Sequence, residues 1–167
     1  MVEKWAVLKG KTRHVGTFDF KETYRVMFEW LWERDYVVNE TKYIEILKPN
    51  GLKEIDVFWD AWRKISDYFV YLITVRFHPL AMTKIEVEID GVKQKVDKGD
   101  FTIEYSCAII KDYTNKWGDK GALKTLRNLY DKTIQRERIE KLEVDLITDY
   151  NGLIEYSKDF LALMGRR

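Results

Sequence analysis

Apolar positions along the chain recur with two periods, and the change between them separates helical from extended stretches. The spacing predicts a first helix over about Asp19 to Glu33. Asp19 and Glu22 stand at capping-box separation, and Thr17 offers an alternative cap. At 100° per residue, Phe20, Tyr24, Met27, Phe28 and Leu31 form one stripe opposite Glu22, Arg25, Glu29 and Glu33. Val26, Trp30 and Trp32 widen that stripe beyond what a single contact needs. Val26 and Trp30 are therefore expected either to meet another element of the same domain or to form a partner interface.

From Tyr36 to Lys111 the period becomes two. Tyr36–Leu47, Glu54–Arg63 and Tyr68–Phe77 are strand-like and rich in aromatic and β-branched residues, and His78-Pro79 is expected to end the third. Lys84–Ile89 and Val92–Asp97 flank Asp90-Gly91, a two-residue hairpin loop that sets Ile89 opposite Val92, Glu88 opposite Lys93 and Glu86 opposite Lys95. This hairpin is expected to pack through Ile85, Val87, Ile89, Val92 and Val96 and to be wet on its other side. A further turn at Lys98-Gly99 would lead into Phe101–Lys111, whose alternation makes Cys107 a core residue. At the N-terminus, Lys4–Leu8 is expected to be a short strand and Lys9–Gly16 a basic connection.

The C-terminal region returns to helical spacing. Leu123, Leu126, Tyr130 and Ile134, then Ile139, Leu142, Leu146, Leu153, Phe160 and Leu163, predict a helical segment over about 119–164. Asp149 interrupts the seam, and Asn151-Gly152 is either a tolerated weak point or a break. Preserved phase favours one long helix. With no repeat or linker, residues 1–167 are expected to form one α+β domain. It would have an antiparallel β-sheet of about six to seven strands, an N-terminal amphipathic helix and a long helical C-terminus packed on it.

Composition narrows the classes of function. With 29 Lys+Arg against 28 Asp+Glu, no bulk cationic field drives phosphate binding. The single Cys107 excludes an intramolecular disulfide, and the longest apolar run, Tyr68 to Val75, is far short of a membrane span. A cytoplasmic protein with no membrane partner is expected. Abundant Glu, Lys, Tyr and Trp, with Gln only at positions 94 and 135, point in the direction of thermophile proteins.

Chemistry-bearing motifs are sparse. With only His14 and His78, neither a histidine triad nor a multi-histidine metal site is expected, and the glycines form no phosphate loop. No cofactor and no metal are expected. Asp56, Asp60 and Asp67, near Trp59 and Trp62, are the candidates for a carboxylate-based enzyme, since desolvation raises a carboxyl pKa. A strand with one wet face alternates in the same way without any catalysis.

Charge is segregated near the C-terminus. Lys111 to Arg138 holds eight basic residues against four acids, and helical projection aligns Lys120, Lys124, Arg127 and Arg138 in a modest basic stripe with Asp131 among them. Ile139 to Met164 reverses the balance, with six acids against Lys141 and Lys158, so the asymmetry either orients the protein on an RNA–protein surface or is taken up by pairing of the two segments within the chain or across a dimer. Tyr113 and Trp117 lie near Lys111 and Lys116 and are either candidates for base stacking on a bound RNA or an aromatic lid over a sheet edge. A non-catalytic interaction protein follows as the first reading. It would self-associate as a homodimer through Val26 and Trp30 and dock on RNA or ribosomal surfaces through the stripe.

Two resemblances complete the picture. The run Phe18-Asp19-Phe20, Tyr24, Trp30-Leu31, Tyr36, Val87-Glu88 and Asp90-Gly91 resembles small uncharacterised archaeal proteins, a group that implies no activity. The order of strands and helices resembles the helix-grip superfamily (START and Bet v 1), in which a curved sheet wraps a long terminal helix. That resemblance implies a carrier of an apolar small molecule, held between sheet and helix.

Overall fold

The computed structural model describes residues 3–114 and 136–165. Its elements run β1 (Glu3–Phe18), α1 (Phe20–Trp32), β2 (Val37–Leu47), β3 (Lys53–Lys64), β4 (Phe69–Ile89), β5 (Val92–Lys111) and α2 (Arg136–Gly165). The strands form one antiparallel sheet in the order β1-β5-β4-β3-β2, and both helices pack on it. The α+β class is as expected, and the sheet has five strands.

Length explains the lower strand number. Tyr68–Phe77 and Lys84–Ile89 are parts of the single strand β4, and Val92–Asp97 and Phe101–Lys111 are parts of β5. The turn expected at Lys98-Gly99 is instead a bulge in β4. Leu80 pairs with Asp100 and Thr83 with Lys98, so Ala81 and Met82 together stand opposite Gly99. Ala81 takes the left-handed conformation, φ 50°, and a Cβ on Gly99 would meet the Leu80 carbonyl oxygen at 2.7 Å. Gly99 therefore marks a close approach of two backbones rather than a turn. Pro79 does not end the strand, because it falls where the β3 ladder is interrupted, between Phe77 and Met82.

The Asp90-Gly91 hairpin has the expected register, with Ile89 opposite Val92, Glu88 opposite Lys93 and Glu86 opposite Lys95. Its apolar side is less packed than the pattern suggests: Val87 and Val96 are half-buried and Val92 is exposed. Lys9–Gly16 is not a connection. It continues β1, pairing with β5 from Ser106 to Gly99.

In α1 the Asp19 side chain accepts the Glu22 N–H at 2.9 Å, while the Glu22 carboxylate turns to Arg25, so only half of the capping box forms. Asp97, 3% exposed, accepts the Phe20 N–H at 3.1 Å and pairs with Lys84 at 2.7 Å, tying the start of α1 to the hairpin. The buried arc of α1 is Phe20, Thr23, Val26, Met27, Trp30 and Leu31, rotated from the expected stripe toward Val26 and Trp30. Trp32 lies outside it, 63% exposed.

The second helix causes that rotation. α2 runs unbroken through Asn151-Gly152 and buries Leu142, Leu146, Tyr150, Leu153, Ser157 and Leu161. Tyr150 holds the place in the seam that the sequence pattern assigns to Asp149. The Asp149 carboxylate instead accepts the Tyr36 hydroxyl at 2.9 Å and pairs with Arg63 at 2.8 Å, joining α2 to β3. A Cβ on Gly152 would lie 3.1 Å from the Trp30 ring, so glycine there admits the indole.

The helix-grip resemblance is overturned by the sheet, which is neither closed nor strongly curled. Strands β1 and β2 are its two edges, and α2 lies across one face without being wrapped. The space between the layers is filled by Phe18, Phe77, Phe101, Trp59, Leu31 and Leu146, each at most 1% exposed. An apolar carrier chamber between sheet and terminal helix is accordingly not supported.

Candidate functional site

Alternation along the strands gives the sheet two unlike faces. Val57, Trp59, Ile73, Val75, Ile103 and Tyr105 point to the helices and are buried. Their neighbours Phe58, Asp60, Thr74, Arg76 and Ser106 are half-buried on the opposite face, where neither described helix lies, and Glu104 there is exposed. A depression of about 650 Å³ opens on that face. Register sets its composition row by row. One row across the strands reads Lys9, Ser106, Thr74, Asp60 and Asn39, and the adjacent row reads Lys11, Glu104, Arg76, Phe58 and Lys42.

Edge strand β1 supplies the cationic rim. Lys9 and Lys11 are exposed and form no ion pair among the described residues. Between them Gly10 faces the helices, where a Cβ would meet the Tyr150 hydroxyl at 2.7 Å. Thr12 donates to the Tyr105 hydroxyl at 2.9 Å, and that hydroxyl meets Ser157 of α2 at 2.6 Å. The strand is held from below, which fixes where the backbone of Lys9 and Lys11 stands on the other side.

Across the depression, Asp60 also has no ion pair among the described residues. Thr74 and Ser106 share a hydroxyl–hydroxyl hydrogen bond between them. Phe58 is flanked by the Arg76 guanidinium, 5.1 Å from the ring centroid, and by the Lys42 ammonium at 5.5 Å. Arg76 is committed elsewhere. It donates to Asp56 at 2.7 and 3.0 Å and to Glu104 at 3.1 Å.

The carboxylate-enzyme candidates are kept apart. Asp56 and Asp60 share a face but stand four residues apart on one strand, about 13 Å at ~3.3 Å per residue. Paired catalytic carboxylates need roughly 5–9.5 Å. The Arg76 hydrogen bonds hold the Asp56 carboxyl below its ordinary value, opposite to the raised pKa a general acid needs. Trp59 cannot desolvate it, because it points to the other face. Asp67 is exposed and paired with Lys64 at 2.8 Å in the turn before β4.

The remaining sequence candidates fall into three groups. Val26 and Trp30, 7% and 8% exposed, are covered within the chain by the packing of α1 against α2, with Arg34 stacked 3.7 Å above the Trp30 ring. They offer no free partner interface, because the neighbouring element of the same domain takes up that flank. Tyr113 is half-buried close to Lys64, and Arg138 is exposed near the start of α2. Trp117, Lys120, Lys124 and Arg127 lie outside the described residues, as do Leu123, Leu126, Tyr130 and Ile134. The sequence pattern does not single out Lys9, Lys11, Thr74 and Ser106 as site residues. For the two lysines the available signal is the alternation Lys9-Gly10-Lys11-Thr12-Arg13, which has the period of a strand; Thr74 and Ser106 carry no comparable local signal.

No family model matches the chain, and no curated protein is significantly similar to it.

Proposed function

We propose that this is a non-catalytic binding protein whose working surface is the face of the sheet opposite the helices, and that its ligand is anionic. One observation carries the reading. Lys9 and Lys11, on a braced edge strand and without an ion pair among the described residues, border a depression whose other described cations are already neutralised or lie across an aromatic ring. Unpaired ammonium groups beside a concave polar surface form an anion site with little rearrangement. A catalytic reading is disfavoured by the separation of Asp56 from Asp60 and by the ion pair that holds Asp56.

A nucleic-acid strand fits this face less well than a small anion. Asp56, Asp60, Asp100 and Glu104 all stand on it, and a polyanion laid across the strands would meet their carboxylates. The test is a titration of isotopically labelled protein with inorganic phosphate and pyrophosphate, followed by amide chemical shifts. Perturbations should centre on residues 9–11, Thr74 and Ser106 and disappear in the Lys9→Glu/Lys11→Glu double variant. Shifts scattered over the surface, or unchanged in that variant, would reject the reading.

A further inference from the structure

We infer that the ligand of this depression is a small phosphorylated sugar, bound with its phosphate on Lys9 and Lys11 and its hydroxyl groups toward Asp60 and the Thr74–Ser106 pair. The inference rests on the anion-binding reading above and adds the nature of the rest of the ligand. Its basis is the polarity of the depression along one row of the sheet. Lys9 and Asp60 stand on β1 and β3, three strand spacings apart, about 14 Å at ~4.8 Å per strand. Among the described residues, one end therefore offers ammonium donors without an ion pair and the other a carboxylate without one, which accepts hydrogen bonds and donates none. A ligand satisfying both ends carries an anion at one end and hydroxyl donors at the other.

The floor between those ends narrows the choice. The Thr74 and Ser106 hydroxyls are bonded to each other, and each has capacity left to donate or accept toward a ligand. Beside them the half-buried Phe58 ring, flanked by Arg76 and Lys42, adds an apolar wall to the depression. A bare phosphate would leave Asp60 and this floor unused, and an unphosphorylated sugar would leave the lysines unused. A longer polyanion would carry further charge onto Asp56 and Glu104. The volume of about 650 Å³ is in the range of small-molecule sites.

The experiment is calorimetric titration of the full chain with ribose 5-phosphate and glucose 6-phosphate. Controls are the parent sugars, inorganic phosphate and a single-stranded octauridylate. The sugar phosphate should bind at least tenfold more tightly than phosphate or sugar alone. Asp60→Asn should weaken the sugar phosphate by about tenfold while leaving inorganic phosphate unchanged, as expected for loss of a charged hydrogen-bond acceptor. Lys9→Glu/Lys11→Glu should abolish binding of both. These are surface positions, and the thermal midpoint of each variant establishes that it is folded. Equal affinity for phosphate and sugar phosphate would overturn this inference and leave the anion-binding reading intact. Preference for the octauridylate would overturn it in favour of an RNA strand, and binding of no phosphate-bearing probe would overturn both.

Discussion

The two carboxylates nearest the depression show how one neighbour sets the role of a side chain. Asp56 hydrogen-bonds Arg76 and is held below its ordinary pKa, whereas Asp60, on the same face, has no ion pair among the described residues. A depressed folded-state value means that the Asp56–Arg76 contribution is complete above the unfolded value of 3.8 and is lost as pH falls through the folded one. The urea midpoint of Asp56→Asn should therefore lie below that of the parent at pH 7, and the gap should close as the solution is acidified below pH 4. A gap independent of pH would mean that the ion pair is not its source. Cys107 is governed by burial, which pushes its thiol up to about 11. Thiolate is scarce at pH 8, so a disulfide reagent should leave the native protein unmodified and titrate one thiol after denaturant is added. Rapid stoichiometric reaction of the native protein would contradict the burial.

At the scale of elements, what could be read from the sequence depended on how locally each element is determined. The Asp90-Gly91 hairpin needs only its own residues to fix register, and Asp19 caps α1 within one turn, so both were legible. Strand β1 was not. Its alternating Lys9, Lys11 and Arg13 look like a solvated loop until β5 supplies the ladder, a pairing between residues about a hundred positions apart. The site is hidden for the same reason, since Lys9, Phe58, Thr74 and Ser106 come from four strands that only the sheet brings together. Gly152 shows tertiary packing overriding helix propensity. Alanine in a helix interior gains about 1 kcal/mol over glycine, but here its methyl would press on Trp30, already bracketed by Arg34 and Tyr156. Overpacking of this kind costs about 1–3 kcal/mol, so Gly152→Ala should be net destabilising by about 1 kcal/mol in a urea melt. A net gain would mean that the indole can withdraw.

At the scale of the whole molecule, the two faces of the sheet set a packed layer back to back with the face proposed for binding. The helix-facing side carries an aromatic core closed by α1 and α2, and residues there are constrained by volume. The opposite side carries polar groups on the same strands, one residue out of phase, so its side chains can change without disturbing the packed layer. This arrangement gives a contrast within single elements. Leu153, fully buried where α2 meets the sheet layer, should lose about 3 kcal/mol on substitution by alanine, within the range for large-to-small core changes. Thr74→Ala, on β4 between the buried Ile73 and Val75 but pointing away from the helices, should lose no more than about 1 kcal/mol, the net value of its hydrogen bond to Ser106. Binding should show the reverse order. Thr74→Ala should weaken the phosphorylated ligand, while Leu153→Ala, measured well below its thermal midpoint, should retain parental affinity. Comparable losses of stability at the two positions would mean that the second face is structural as well, and that the depression is a by-product of packing rather than a surface kept free for a ligand.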